Sequence, residues 1–102
     1  MGNAVTFFGA ADTPHCGPMT RAANSANVFV VNNAGVSKGV SREGDINTSH
    51  LYNLGDSCPY HAKPIANSGI AVFVNGKRIG RLGDALTGCT TVAEGSPTVF
   101  AG

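Results

Sequence analysis

Tryptophan is absent from this chain, and its aromatic residues are five Phe and two Tyr. So little aromatic mass limits the core that 102 residues can build. Charge is scarce as well: charged residues are 13% of the sequence, seven basic against six acidic. No basic stripe marks a nucleic-acid surface, and no acidic run marks a disordered arm. No apolar stretch approaches the roughly 20 residues that a membrane-spanning helix needs. Residues Met1 to Gly9 lack a basic segment followed by an apolar stretch and a cleavage site, so no secretory signal is expected. Three cysteines, Cys16, Cys58 and Cys89, cannot form a complete set of disulfides within one chain. No GxxxxGK[ST] or helix-opening GxGxxG exists to cradle phosphate.

Glycine is plentiful, at 14 residues, which suits short strands joined by frequent turns. Asn75-Gly76 follows Ala71-Val72-Phe73-Val74 and is a strong two-residue hairpin signal. Lys77 to Leu82 then alternates polar with apolar or small residues, as a half-exposed return strand does. Asn32-Asn33-Ala34-Gly35 is a looser turn of the same kind. No window carries a capped helical period. The expected class is all-β, built of short hairpins with at most one short helical turn, in one domain over residues 1–102.

The chain repeats itself. SANVFV from Ser25, GIAVFV from Gly69 and SPTVFA from Ser96 each centre on a Val-Phe pair, and an alanine (Ala22, Ala66, Ala93) stands six residues before each Val. Three imperfect repeats are read, roughly 9–44, 45–83 and 84–102, with an insertion around residues 44–61. The phenylalanines of the Val-Phe pairs are expected in the core. Between them lie Gly44-Asp45, Gly55-Asp56 and Gly83-Asp84, and a potential metal ligand follows each Asp by five residues: His50, His61 and Cys89. A degenerate fourth copy, Gly9 to Cys16, carries Asp12 followed more closely by His15 and Cys16.

Three imidazoles and one thiolate, from His15, His50, His61 and Cys89, make a complete tetrahedral set for Zn²⁺. The mixed nitrogen and sulfur donors favour zinc over calcium or magnesium, with iron the lesser alternative. Four protein ligands leave no place for a catalytic water, so the site would be structural and the chain not an enzyme. Cys58, which forms a C-x-x-H pair with His61, and Cys16, next to His15, are alternative ligands. Otherwise each is a small, partly buried thiol. Asp45, Asp56 and Asp84 are read as turn residues that accept backbone N–H bonds, and Arg42 and Arg81 as braces of those turns. A zinc hydrolase or a redox protein would need an open metal position with a general base, or a reactive CxxC.

Ala71 to Gly102, AVFVNGKRIGRLGDALTGCTTVAEGSPTVFAG, resembles the PAAR-repeat (Pro-Ala-Ala-Arg) family. There a Val-Phe-Val-Asn-Gly strand end precedes the name-giving tetrapeptide, a Gly-Asp, a His- or Cys-bearing loop and a Gly-Ser-Pro turn. Here Arg78-Ile-Gly-Arg81 and Gly39-Val-Ser-Arg42 stand for the tetrapeptide and keep only its arginine. The resemblance is strong after Gly44 and faint before Ala22. It implies a β cone pinned near its apex by zinc on histidines and a cysteine, matching His15, His50, His61 and Cys89 in kind. It also implies a role: one tip per trimeric β-helical spike of a contractile phage tail or type VI secretion system. Such a tip meets the target cell's outer membrane transiently and binds neither nucleic acid nor a small-molecule substrate. It would be a monomer alone. It would be found at the virion tail tip, or in the bacterial cytoplasm before export by the injection machine. The rival reading is a free-standing zinc-stapled protein-binding module or an effector adaptor.

Overall fold

A computed structural model describes residues 2–14, 18–48, 62–67, 69–87 and 90–102. It is all-β, and the described residues contain no helix. Six short strands are present: β1 (Asn3–Ala4), β2 (Phe29–Val31), β3 (Ser37–Gly39), β4 (Phe73–Val74), β5 (Lys77–Arg78) and β6 (Phe100–Ala101). They form three antiparallel pairs, β2 with β3, β4 with β5, and β1 with β6.

Local chemistry explains two of these pairs. Asn75 and Gly76 both take positive φ, 54° and 78°, so β4 returns as β5 through a two-residue turn whose twist matches the strands. Between β2 and β3 the Asn32 Oδ1 accepts the backbone N–H groups of Ala34 and Val36, and Gly35 supplies the positive φ. The third pair needs no turn. Asn3 stands opposite Ala101 and Ala4 opposite Phe100, so the two ends of the chain complete a hairpin between them.

Three hydrogen bonds then close a circle through the centre. The Thr6 N–H donates to the Gly80 carbonyl, the Gly80 N–H to Ser41, and the Ser41 N–H back to Thr6, at 3.0, 2.9 and 3.2 Å. Single antiparallel bridges flank the circle at Val5 with Arg81, Phe7 with Val40, and Arg42 with Ile79. Around it lies the main core: Val5, Phe7, Ala10, Val30, Val40, Val74, Ile79 and Ala101, with Ile70 packed alongside. Ile65, Leu86 and Val92 form a second, smaller cluster.

The central circle is tight. A methyl group on Gly80 would stand 2.6 Å from the Ser41 carbonyl oxygen and 2.8 Å from the Ile65 Cδ1. Neither neighbour can retreat without opening the circle or the second cluster. Gly80→Ala is therefore expected to cost about 1–3 kcal/mol. A urea midpoint equal to that of the parent protein would show that the circle has slack.

The expectation for the Val-Phe pairs is overturned. Phe29, Phe73 and Phe100 are 56%, 53% and 56% exposed, whereas the next residue in each strand, Val30, Val74 or Ala101, is buried. Successive strand residues face opposite ways, and the core accepts the smaller of each two. Phe7 is the phenylalanine that the core does hold.

Candidate functional site

The three pairs of strands surround one core and turn their phenylalanines away from it. Val28, Val72 and Val99, the other halves of the Val-Phe pairs, are also exposed. This is a large share of apolar surface for so small a chain. Serines hold two of the pairs in place. The Ser25 N–H donates to the Val40 carbonyl, and its Oγ accepts the N–H groups of Asn27 and Val28. The Ser96 N–H donates to the Val5 carbonyl, and its Oγ accepts the Thr98 N–H. The tip of the β4–β5 hairpin is tied to the open end of the β2–β3 hairpin. The Asn75 Nδ2 donates to the Asn27 Oδ1 at 2.9 Å, and the Asn75 Oδ1 accepts from the Ser25 Oγ and the Arg42 Nη1. The Arg78 guanidinium lies 5.0 Å from the Phe73 ring centre, a cation–π distance.

Beyond the central circle, the described residues make three tight turns at Gly9, Gly44 and Gly83, with φ of 83°, 87° and 90°. Each glycine N–H donates across to another segment, at the carbonyl of Arg21, Ile65 or Val92. In two turns the residue after the glycine is Asp. The Asp45 carboxylate accepts the Arg42 backbone N–H at 2.8 Å and also takes the Arg42 guanidinium. Asp84 does the same for the Arg81 backbone and side chain. In the first turn Phe7 and Ala10 hold these positions, joined by the same backbone bond, from the Ala10 N–H to the Phe7 carbonyl.

That last bond corrects the reading of Gly9 to Cys16. Ala10, not Asp12, holds the place of Asp45 and Asp84. Counted from it, His15 stands five residues on, as His50 does from Asp45 and Cys89 from Asp84. Asp12 has a different task. Its Oδ2 accepts from the Arg21 Nη2 at 3.0 Å and Nε at 3.2 Å, and both side chains are fully buried. The Arg21 Nη1 donates to the Asp45 carbonyl. Sequence reasoning missed this pair. The available signal was a charge at Arg21, directly before Ala22, where Ile65 and Val92 precede Ala66 and Ala93.

Every proposed metal ligand, His15, His50, His61 and Cys89, lies outside the described residues, as do Cys16, Cys58 and Asp56. Among the described residues no group of three or more His, Cys, Asp or Glu could hold a metal ion. Three threonines, Thr13, Thr48 and Thr87, stand two residues before His15, His50 and Cys89. Their N–H groups donate to the carbonyls of Thr91, Thr20 and Pro64, at 2.8, 2.7 and 2.9 Å.

No family model matches this chain, and no curated protein is significantly similar to it.

Proposed function

We propose that this protein is a structural tip of the PAAR type, a monomer that caps and sharpens a trimeric β-helical spike of a phage tail or contractile injection machine. The carrying observation is the circle of bonds through Thr6, Gly80 and Ser41, with one outward phenylalanine beside each arm. On this reading the chain holds three copies of one unit, and the third is assembled from the two chain ends. A single chain then offers three similar faces to three identical spike chains. The exposed Val-Phe pairs form the base of the cone, which the spike covers, because apolar surface of this kind marks an interaction site.

The narrow end is assigned to zinc, held by His15, His50, His61 and Cys89, with Cys16 or Cys58 as the substitutes. The donor set fits a closed tetrahedral zinc site. Support comes from the five-residue spacing shared by His15, His50 and Cys89, counted from Ala10, Asp45 and Asp84. The linked threonine segments before these ligands support it too. A metal would stiffen a point too narrow for an apolar core. The role is mechanical, the chain is not an enzyme, and the target-cell envelope is met only during piercing.

The combined variant Phe29→Ser, Phe73→Ser and Phe100→Ser tests the base. Each half-exposed ring covered by the spike contributes about 1 kcal/mol, so the three together change affinity by about a hundredfold. Titration against the β-helical spike fragment encoded with this chain should show that loss. The melting temperature should hold, because the rings are outside the core. Unchanged affinity would remove these residues from the interface and the cap from its base.

A further inference from the structure

Among the described residues, each two-stranded sheet has one closed edge and one open edge. The outer sides of β3, β5 and β1 are closed. There the carbonyls of Gly39, Arg78 and Ala4 accept the N–H groups of Phe8, Glu43 and Leu82, at 2.8, 2.8 and 2.7 Å. Gly39, Arg78 and Ala4 stand opposite Phe29, Phe73 and Phe100 in the register. Their polar groups point away from the partner strand, so these are non-hydrogen-bonded pairs. The bonds from Val40 to Val28, Ile79 to Val72 and Val5 to Val99 mark the adjacent hydrogen-bonded pairs. It follows that the backbone N–H and C=O groups of the three phenylalanines also point outward, along the other edge. No bridge among the described residues reaches that side of β2, β4 or β6.

An open edge is a template for one more strand. Three such edges occur, one for each chain of a trimer. Charge narrows the partner further. No acidic residue lies in the six strands and the β1–β6 sheet is uncharged, whereas Lys38 on β3 and Lys77 and Arg78 on β5 stand behind the open edges of β2 and β4. A strand laid beside them is favoured when carboxylates flank its apolar positions.

We infer that the open edges of β2, β4 and β6 each receive one short strand from the trimeric partner, through the backbone of Phe29, Phe73 and Phe100, with carboxylates flanking the strand where it meets β2 and β4. The inference rests on the tip reading and adds to it how the spike is gripped. Apolar contact alone would let the cap rotate about its axis, whereas three added strands fix it.

The side chain and the backbone can be separated at Phe100. Ligation at Cys89 joins residues 1–88 to a synthetic 89–102 peptide in which an ester replaces the Phe100 amide. The ester keeps the ring and removes the N–H. It also weakens the Val99 carbonyl that accepts the Val5 N–H, so the melting temperatures of the ester and all-amide chains are compared as well. Against the same spike fragment the ester chain should bind roughly two- to tenfold more weakly than an all-amide chain made the same way. A second variant, Lys38→Glu with Lys77→Glu, should weaken binding more than tenfold at low salt, through like-charge repulsion with the strands it meets. If the parent chain binds the fragment and both variants bind equally well, strand addition is wrong and the tip reading stands. If the parent chain does not bind the fragment, both fall together.

Discussion

On the zinc proposal, a chelator is expected to abolish the cooperative unfolding transition of this protein. A chain of 102 residues commands a net stability of roughly 5–15 kcal/mol. A structural zinc in a small domain contributes on the order of 10 kcal/mol, which equals or exceeds that margin. Far-ultraviolet circular dichroism with a strong chelator should show a broad, early loss of signal, restored by one equivalent of zinc. Cys89→Ser should follow the chelated protein, because on that proposal it removes a ligand. Cys16→Ser and Cys58→Ser exchange a small thiol for a hydroxyl of similar size and should each cost only about 1 kcal/mol. Equal losses for Cys58→Ser and Cys89→Ser would put Cys58 in the ligand set. Protein purified without chelator that contains no transition metal would remove the site.

The buried pair of Asp12 and Arg21 gives the second large effect, a loss in the single variant that the double variant does not show. Asp12→Ala leaves the Arg21 guanidinium buried without its carboxylate, at a cost of about 3–5 kcal/mol. For a domain of this size that is a fall of more than about 12 °C in melting temperature. The rest of the chain suggests the replacement. The Gly9 N–H bonds to the Arg21 carbonyl, as the Gly83 N–H bonds to that of Val92. Asp12 stands three residues after Gly9, and Leu86 three after Gly83. The double variant Asp12→Leu with Arg21→Val copies the apolar pair into the polar place. It strands no acceptor at Asp45, whose carbonyl also receives the Ile65 N–H. Its stability should match or exceed that of the parent protein, since well-packed apolar groups often replace a buried ion pair without loss. Thermal melts of both variants check this. A double variant as unstable as Asp12→Ala would show that the pair shapes the core in a way that apolar packing cannot supply.

Elements set by neighbouring residues were legible in the sequence. The Asn75-Gly76 turn is an example, because positive φ at two successive positions is a local demand. The all-β class followed from the glycine content and the missing helical period. The orientation of Phe29, Phe73 and Phe100 was not legible. Strands of two or three residues are too short to display an alternation, so a Val-Phe-Val triplet can be read with either face inward. Closure of β1 on β6 pairs residues from opposite ends of the chain, and no local signal announces it. Arg21 was not singled out in the sequence, because its partner carboxylate is identified only by the fold. The base of the candidate site thus became visible only when the register was known. The proposed metal ligands are drawn from the spacing of His and Cys along the chain.

Stoichiometry tests the central claim most directly. Native mass measurement of the tip mixed with the β-helical spike fragment encoded with it should find one copy of this chain on three spike chains. The tip alone should be a monomer. Three tips on one spike trimer would contradict the account, because the three faces it needs are supplied within a single chain.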